Sequence, residues 1–291
     1  MSKKGRSRVA PRKGGLNKAQ VQAAKQRDRK KIAQTAGAVA LGMAGGNKKK
    51  HRFKRKQQAT AAAQGIDTSG LPHGYDECTK TLLVGEGNFS FARALVRLYN
   101  GNGFSLVATA YDSEDVVHKK YEDATSILEE VRASGATVHF GVDAGDLVSS
   151  LKLAKKRRKN GGMLDRDDQF DRIVFNFPHV GLGIKDQDVN LRKNQELLQK
   201  FFASATELVR VGGEIHMALK KGMPYSQWNT VGNAHRCSGG KLVQRTEHIF
   251  DCTAFPGYAH RRTLGFKEGM SKGENEEVVG QSRTYVFERT P

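Results

Sequence analysis

Thr81-Leu82-Leu83-Val84-Gly85-Glu86-Gly87-Asn88-Phe89-Ser90-Phe91 carries a short, unbroken apolar run into two glycines one residue apart. An apolar run of this length, ended by Gly, reads as a strand buried on both faces, the kind found in parallel sheets. Two glycines between such a strand and a following helix let the backbone turn sharply and approach a ligand with helix N–H groups facing it. Against the dinucleotide fingerprint G-x-G-x-x-G, the sixth position is Ser90, so the glycine used for close helix–strand packing is missing. A structural turn that holds no ligand is the alternative at this point.

Outward from this stretch, β-branched or apolar runs at 81–84, 105–110, 137–142, 172–175, 214–219, 241–249 and 284–288 predict seven strands. Helices are expected between them at 92–98, from the cap at Ser113 to Ala133, and at 147–156. Leu197, Leu198, Phe201, Phe202, Ala205, Leu208 and Val209 form a broad apolar stripe on a further helix, which Gly212 and Gly213 are expected to stop. After Gln227 the pattern becomes irregular. The alternation predicts an α/β fold, a mostly parallel seven-stranded sheet with helices on both faces. Such sheets bind ligands beyond the carboxyl ends of the strands where the strand order reverses, so the residues after each strand carry the functional information.

The chain has 291 residues and a formal net charge of +19. Residues 1–58 hold 19 Lys/Arg and one acid, Asp28, which leaves 30 bases and 29 acids for the remainder. The excess charge belongs to an arm, and the body is nearly neutral. Too polar to bury a core, residues 1–72 are expected to be a disordered basic arm and linker, followed by one domain at 73–291. The run Lys48-Lys49-Lys50-His51-Arg52-Phe53-Lys54-Arg55-Lys56 suits a nuclear or nucleolar address combined with phosphate binding. Lys155-Lys156-Arg157-Arg158-Lys159 is a second basic run, read as a solvated helix end or an RNA contact. Three cysteines without a CxxC pair exclude a disulfide framework and a Cys-rich zinc module, and no metal site is expected. No apolar run reaches the roughly 18 to 20 residues needed to cross a bilayer, and the basic amino terminus does not read as a secretory signal. A soluble intracellular protein without membrane association is expected.

Asp112 ends the second strand, where a carboxylate can accept both hydroxyls of a ribose. Asp143 ends the third and is placed to meet the exocyclic amine of an adenine. Gly-x-Gly, Asp and Asp at three successive strand ends suit adenosine without a distinct demand for pyrophosphate, which favours S-adenosylmethionine over NAD. The fourth strand runs into Phe175-Asn176-Phe177-Pro178-His179. This partly matches the Asp/Asn-Pro-Pro-aromatic segment with which many methyltransferases hold an amino group. Asn176 and Pro178 keep its first and third positions, and Phe177 and His179 replace the others. Near the carboxyl end, Tyr258, His260, Arg261 and Arg262 follow a Pro-Gly turn, a composition suited to stacking a base and gripping its phosphate. Tyr225 and Trp228 offer a second platform or core filling, the latter the stronger reading for the tryptophan.

Together, the segments at 83–91 and 175–179, Leu219-Lys220 with Pro224, Tyr225 and Trp228, and Phe255-Pro256-Gly257-Tyr258 with His260-Arg261-Arg262-Thr263 resemble the eukaryotic 25S rRNA (uridine-N(3))-methyltransferase-like family. The resemblance spans about 79–287. It implies a Rossmann-like class I methyltransferase fold, S-adenosylmethionine as donor and a uridine in large-subunit ribosomal RNA as acceptor. By motif it assigns donor binding to Gly85, Glu86, Gly87, Asn88 and Phe89, beside Asp112 and Asp143, and the acceptor role to Asn176, Phe177, Pro178 and His179. The expected partners are ribosomal RNA or pre-ribosomal particles, the basic run places the protein in the nucleus and nucleolus, and a monomer is expected. Asn176 and His179 are the catalytic candidates, with His179 the leading base and Asp143 a weaker one. An RNA-binding assembly factor that keeps the fold without turnover is the alternative.

Overall fold

The computed structural model describes residues 74–159, 161, 164–263, 275, 278, 280 and 282–291. The arm and linker expected at 1–72 lie outside the described residues. Strands β1 (Thr81–Val84), β2 (Leu106–Thr109), β3 (Thr137–His139), β4 (Phe170–Asn176), β5 (Val209–Lys220), β6 (Leu242–Ile249) and β7 (Ser282–Arg289) form one sheet in the order β3-β2-β1-β4-β5-β7-β6. β1 through β5 are parallel, and β7 inserts antiparallel between β5 and β6. The architecture is Rossmann-like. All seven expected strands are present, with β3 shorter than the 137–142 run.

Alternation along the central strands explains the layers. Leu83, Val174 and Ala218 point into one core, packed with Phe91, Leu95, Ile127 and Leu128. Leu82, Val84, Ile173, Phe175 and Met217 point into the other, packed with Phe201, Phe202 and Phe287. Both faces of the sheet are therefore dry, which is why the central strands read as continuous apolar runs. The helices covering them are α1 (Ser90–Leu98), α2 (Glu114–Lys120), α3 (Ala124–Ala133), α4 (Leu147–Ser150), α5 (Ala154–Lys159), α6 (Gln187–Leu208) and α7 (Thr230–Cys237). None of them is long and apolar enough to cross a membrane.

Several helix boundaries differ from the sequence reading. The stretch expected from Ser113 to Ala133 breaks at Tyr121, whose backbone is extended, and the 147–156 stretch divides into α4 and α5. α6 carries the expected apolar stripe but ends at Leu208, before Gly212 and Gly213. Val209 already pairs with Phe170, and the glycines lie in the irregular segment that follows, before regular pairing resumes at Arg172 and Glu214. Gly212 has φ +74°, and a Cβ on Gly213 would sit 2.8 Å from the Asp171 carbonyl oxygen, so the pair serves a bulge in β5 rather than a helix stop. α7 lies in the region that reads as irregular.

At the amino-terminal end of these strands, Arg172 is 8% exposed and bonds through Nη2 to Glu214 Oε2 at 2.9 Å. The same carboxylate oxygen meets His216 Nε2 at 3.0 Å, and Arg172 lies over the Tyr75 ring. The His216 hydrogen bond, with Arg172 in support, holds the Glu214 carboxyl down at about 2 against an ordinary value of 4.5. A depressed carboxylate stabilises the fold fully above its unfolded value, so this contribution is expected to fade as pH falls from about 4.5 to about 2. Glu214→Ala leaves the buried guanidinium without its counter-charge and is expected to cost about 2–3 kcal/mol in urea unfolding, the low end for a pair with one partly exposed member.

Candidate active site

Strand order reverses between β1 and β4, whose carboxyl ends lie side by side. Gly85 leaves β1 with φ +69°, and a Cβ there would stand 2.5 Å from the Phe175 ring, so only glycine lets the chain turn beside β4. The Glu86 N–H donates to the Thr109 carbonyl at 2.8 Å, and its carboxylate accepts from the Ala92 N–H at 3.2 Å inside α1. Burial pushes this carboxyl up to about 7. Asn88 bonds to the Ser90 N–H at 3.2 Å and to Asp123 at 2.9 Å, so its side chain organises the loop. Phe89 is a correction to the sequence reading. With φ +63° its ring turns away into the core, 0% exposed and edge-on to Phe140, and it does not line the cavity.

A cavity of about 380 Å³ opens beyond these strand ends. It is lined by Gly85, Glu86, Gly87, Asn88, Asp112, Asp143, Asn176, Phe177, His179, Tyr258, His260 and Arg261, so it gathers most of the expected site. Asp112 accepts from Lys120 Nζ at 2.6 Å, and Asp143 Oδ1 accepts from the Gly145 N–H at 2.7 Å. Tyr111, 72% exposed, also lines the cavity. The sequence reading passed over it, although its place directly before Asp112 at a strand end was a usable signal. At the end of β4, Asn176 Nδ2 is buried without a hydrogen-bond partner among the described residues.

Phe177 follows in the left-handed region (φ +52°), a backbone strain typical of sites built for function. Its N–H donates to the Ala218 carbonyl at 2.9 Å, and its ring packs edge-on against His260 and Phe250. Next to it, the Gly181 N–H donates to His179 Nδ1 at 2.9 Å. A backbone N–H can only donate, so Nδ1 keeps its lone pair and the neutral ring carries its proton on Nε2. Burial, then the charges of Arg262 and Lys220, hold this histidine below its ordinary value. In this tautomer the N–H that the ring offers is at Nε2.

Residues 257–263 form a strap fastened to the glycine loop and the helices beside it. Ser90 Oγ donates to the Ala259 carbonyl at 2.9 Å and accepts from the Ala259 N–H at 3.1 Å. Asp123 joins Asn88 to Arg261 at 3.0 Å, Tyr121 Oη donates to the Arg262 carbonyl at 3.2 Å, and Arg93 reaches the Gly257 carbonyl at 2.8 Å. The serine in place of the fingerprint glycine is thus a stitch across the sheet top. Tyr258 is 9% exposed and packs edge-on against Phe91 and Phe250, so it is a wall of the site and not an open stacking platform. Trp228, 1% exposed, is core filling. Pro178 and Arg262 line a second cavity of about 130 Å³ with Lys220 and Tyr225. The two cavities share Phe177, His179, His260, Arg261 and Thr263 as their common wall.

The larger cavity fits an adenosine-bearing sulfonium donor. It has a glycine loop at which a Cβ on Gly85 would meet the Phe175 ring, and carboxylates beyond two successive strand ends. Among the described residues, no cluster of three or more His, Cys, Asp or Glu could hold a metal ion.

The chain is similar to known proteins of one family. The model of the family described as rRNA (uridine-N3-)-methyltransferase BTM5-like matches residues 82–262. The chain is 38% identical over 214 residues to heavy metal-associated isoprenylated plant protein 41 of Arabidopsis thaliana, covering 73% of this chain and 38% of that one. It is 31% identical over 216 residues to the Arabidopsis thaliana protein At4g26485, covering 73% and 94%. It is 28% identical over 279 residues to the 25S rRNA (uridine(2634)-N(3))-methyltransferase of Saccharomyces cerevisiae, covering 81% and 79%. The chain thus spans well under half of the first relative and nearly all of the second.

Proposed function

The chain belongs to the rRNA (uridine-N3-)-methyltransferase BTM5-like family, and from that premise we propose that it transfers a methyl group from S-adenosylmethionine to N(3) of a uridine in large-subunit ribosomal RNA. The observation that carries this reading is the buried amide of Asn176 at the end of β4, which has no partner among the described residues and belongs to a residue lining the cavity behind the glycine loop. Bound, the donor supplies an electrophilic methyl on a sulfonium.

The protein's part is to hold and orient. Gly85 and Gly87 let the backbone approach the donor, Asp112 and Asp143 take its polar groups, and Glu86 and Asn88 shape the loop. Lys120 already engages Asp112, so a ribose would share this carboxylate with the lysine. The acceptor base has its N(3)–H tied up in pairing within a duplex and must enter unpaired. Asn176 donates to a uracil oxygen, Phe177 and Pro178 shape the wall, and Lys220, Arg261 and Arg262 gather positive charge where the imide ionises and the phosphate lies. Tyr258 and His260 complete the wall between the two cavities.

Residues 1–72 serve as the RNA-holding arm of domain 73–291, working on pre-ribosomal particles in the nucleolus as a monomer. Deleting residues 1–58, with 19 bases and one acid, is expected to reduce the slope of log affinity against log salt by nearly one for each phosphate that the arm neutralises. An unchanged slope in filter binding to ribosomal RNA would remove the arm from RNA binding. The reading as a whole is tested by nucleoside mass spectrometry of ribosomal RNA from cells lacking the protein. Loss of 3-methyluridine, restored by the purified protein with S-adenosylmethionine, is the expected result, and an unchanged profile would overturn it.

A further inference from the structure

We infer that His179 is a neutral hydrogen-bond donor rather than the base, and that with Asn176 it forms a two-donor reader of the paired carbonyls of uracil, which sets uridine apart from cytidine. This rests on the methyltransferase reading above and deepens it.

The Gly181 N–H, held by a glycine at φ +64°, occupies His179 Nδ1 at 2.9 Å. The Nε2–H is the polar group the ring has left to offer. Asn176 Nδ2 is buried and has no acceptor among the described residues. Both residues line the same cavity. Uracil presents an oxygen on each side of N(3), so two donors meet two acceptors. Cytosine replaces one of those oxygens with an amino group, which sets a donor against a donor and leaves a buried N–H unpaired. A site built on hydrogen bonds rejects such a mismatch far better than a site built on shape.

In the transfer, the N(3)–H bond breaks with its electron pair staying on N(3), and the proton passes to solvent water or hydroxide. The charge spreads onto the two oxygens, which the donors hold. N(3) then forms its bond to the methyl carbon as the carbon–sulfur bond breaks, its electron pair leaving with sulfur. The charged groups facing the ring are Lys220 from β5 and Arg262 from the strap, with Arg261 and His260 on the same wall. The lysine and both arginines favour the ionised imide.

The experiment uses the full chain in three arms. Nitrogen-15 NMR of the His179 ring is expected to show Nε2 protonated and Nδ1 bare at neutral pH, and the opposite tautomer would overturn the proposal. Without methyl donor, wild type is expected to bind a short oligouridylate several-fold tighter than an oligocytidylate of equal length, where the phosphates are the same in number. N176A and H179A should lose the preference, and a preference that survives in both would overturn the reader. In turnover, H179A is expected to fall about 100-fold at every pH, the usual loss for one oxyanion donor. H179N, which keeps an N–H, should stay within about tenfold. A general base would instead leave H179N as inactive as H179A, with both rescued at pH above the ionisation of the imide. That pattern, with methyluridine formed by wild type, overturns the donor role alone, whereas no methyluridine from wild type overturns the function on which it rests.

Discussion

Gly87→Arg is expected to abolish binding of S-adenosylmethionine while leaving the fold intact. Gly87 lines the larger cavity, and a Cβ there would lie 3.3 Å from Tyr121 Oη and 3.5 Å from Arg261 Cβ. The first carbon is therefore tight but tolerable, and its φ is not in the left-handed region, so no backbone strain accompanies the change. A guanidinium extending from that point would stand among the residues lining the cavity, and would bring a positive charge toward a cationic sulfonium bound there. Titration calorimetry should show a loss of at least about 100-fold in affinity, about 2.8 kcal/mol, with thermal unfolding near that of wild type. The neighbouring Gly85 is a poorer probe, because φ +69° and a 2.5 Å approach to Phe175 would damage the turn itself. Full donor affinity in Gly87→Arg would mean that the donor binds away from this loop.

The contrast between these two glycines shows how far the sequence reaches. Strand positions were legible because the sheet is buried on both faces, so Leu82-Leu83-Val84 and Ile173-Val174-Phe175 stand out as continuous apolar runs. Residues at strand ends were legible for the same reason: topology places Gly85, Asp112, Asp143 and Asn176 around one cavity once the strands are known. Details fixed by distant partners were not. Ser90 looks like a defect in a fingerprint until its two bonds to Ala259, 169 residues away, are seen. Phe89 shares a motif with true cavity residues, yet a single left-handed φ sends its ring into the core. The helix end at Leu208 depends on Val209 finding Phe170 across the sheet, which outweighs the local signal of Gly212 and Gly213. The proton on His179 is set by a backbone N–H two residues on, a relation that residue types alone do not reveal.

Asn176→Ala is expected to lower kcat by about 10²–10³ with donor affinity unchanged within a few-fold. The side chain sits at the carboxyl end of β4, held by pairing with Ala218 of β5, so its position is set by the sheet rather than by a loop. Its buried Nδ2 has no partner among the described residues, and leaving such a group unsatisfied costs stability. Alanine removes that cost, so the variant should unfold at the same or a slightly higher temperature than wild type. Lost turnover together with retained or improved stability is the signature of a group kept for function and not for packing. The donor should still bind, because Gly85, Gly87, Asp112 and Asp143 are untouched. Asn176→Asp sharpens the test. At neutral pH it sets a carboxylate against an oxygen on which negative charge develops, and its kcat should fall below that of the alanine variant. Single-turnover kinetics with calorimetry on the same samples separate these outcomes. Turnover within a few-fold of wild type in both variants would show that the amide does not touch the reacting base.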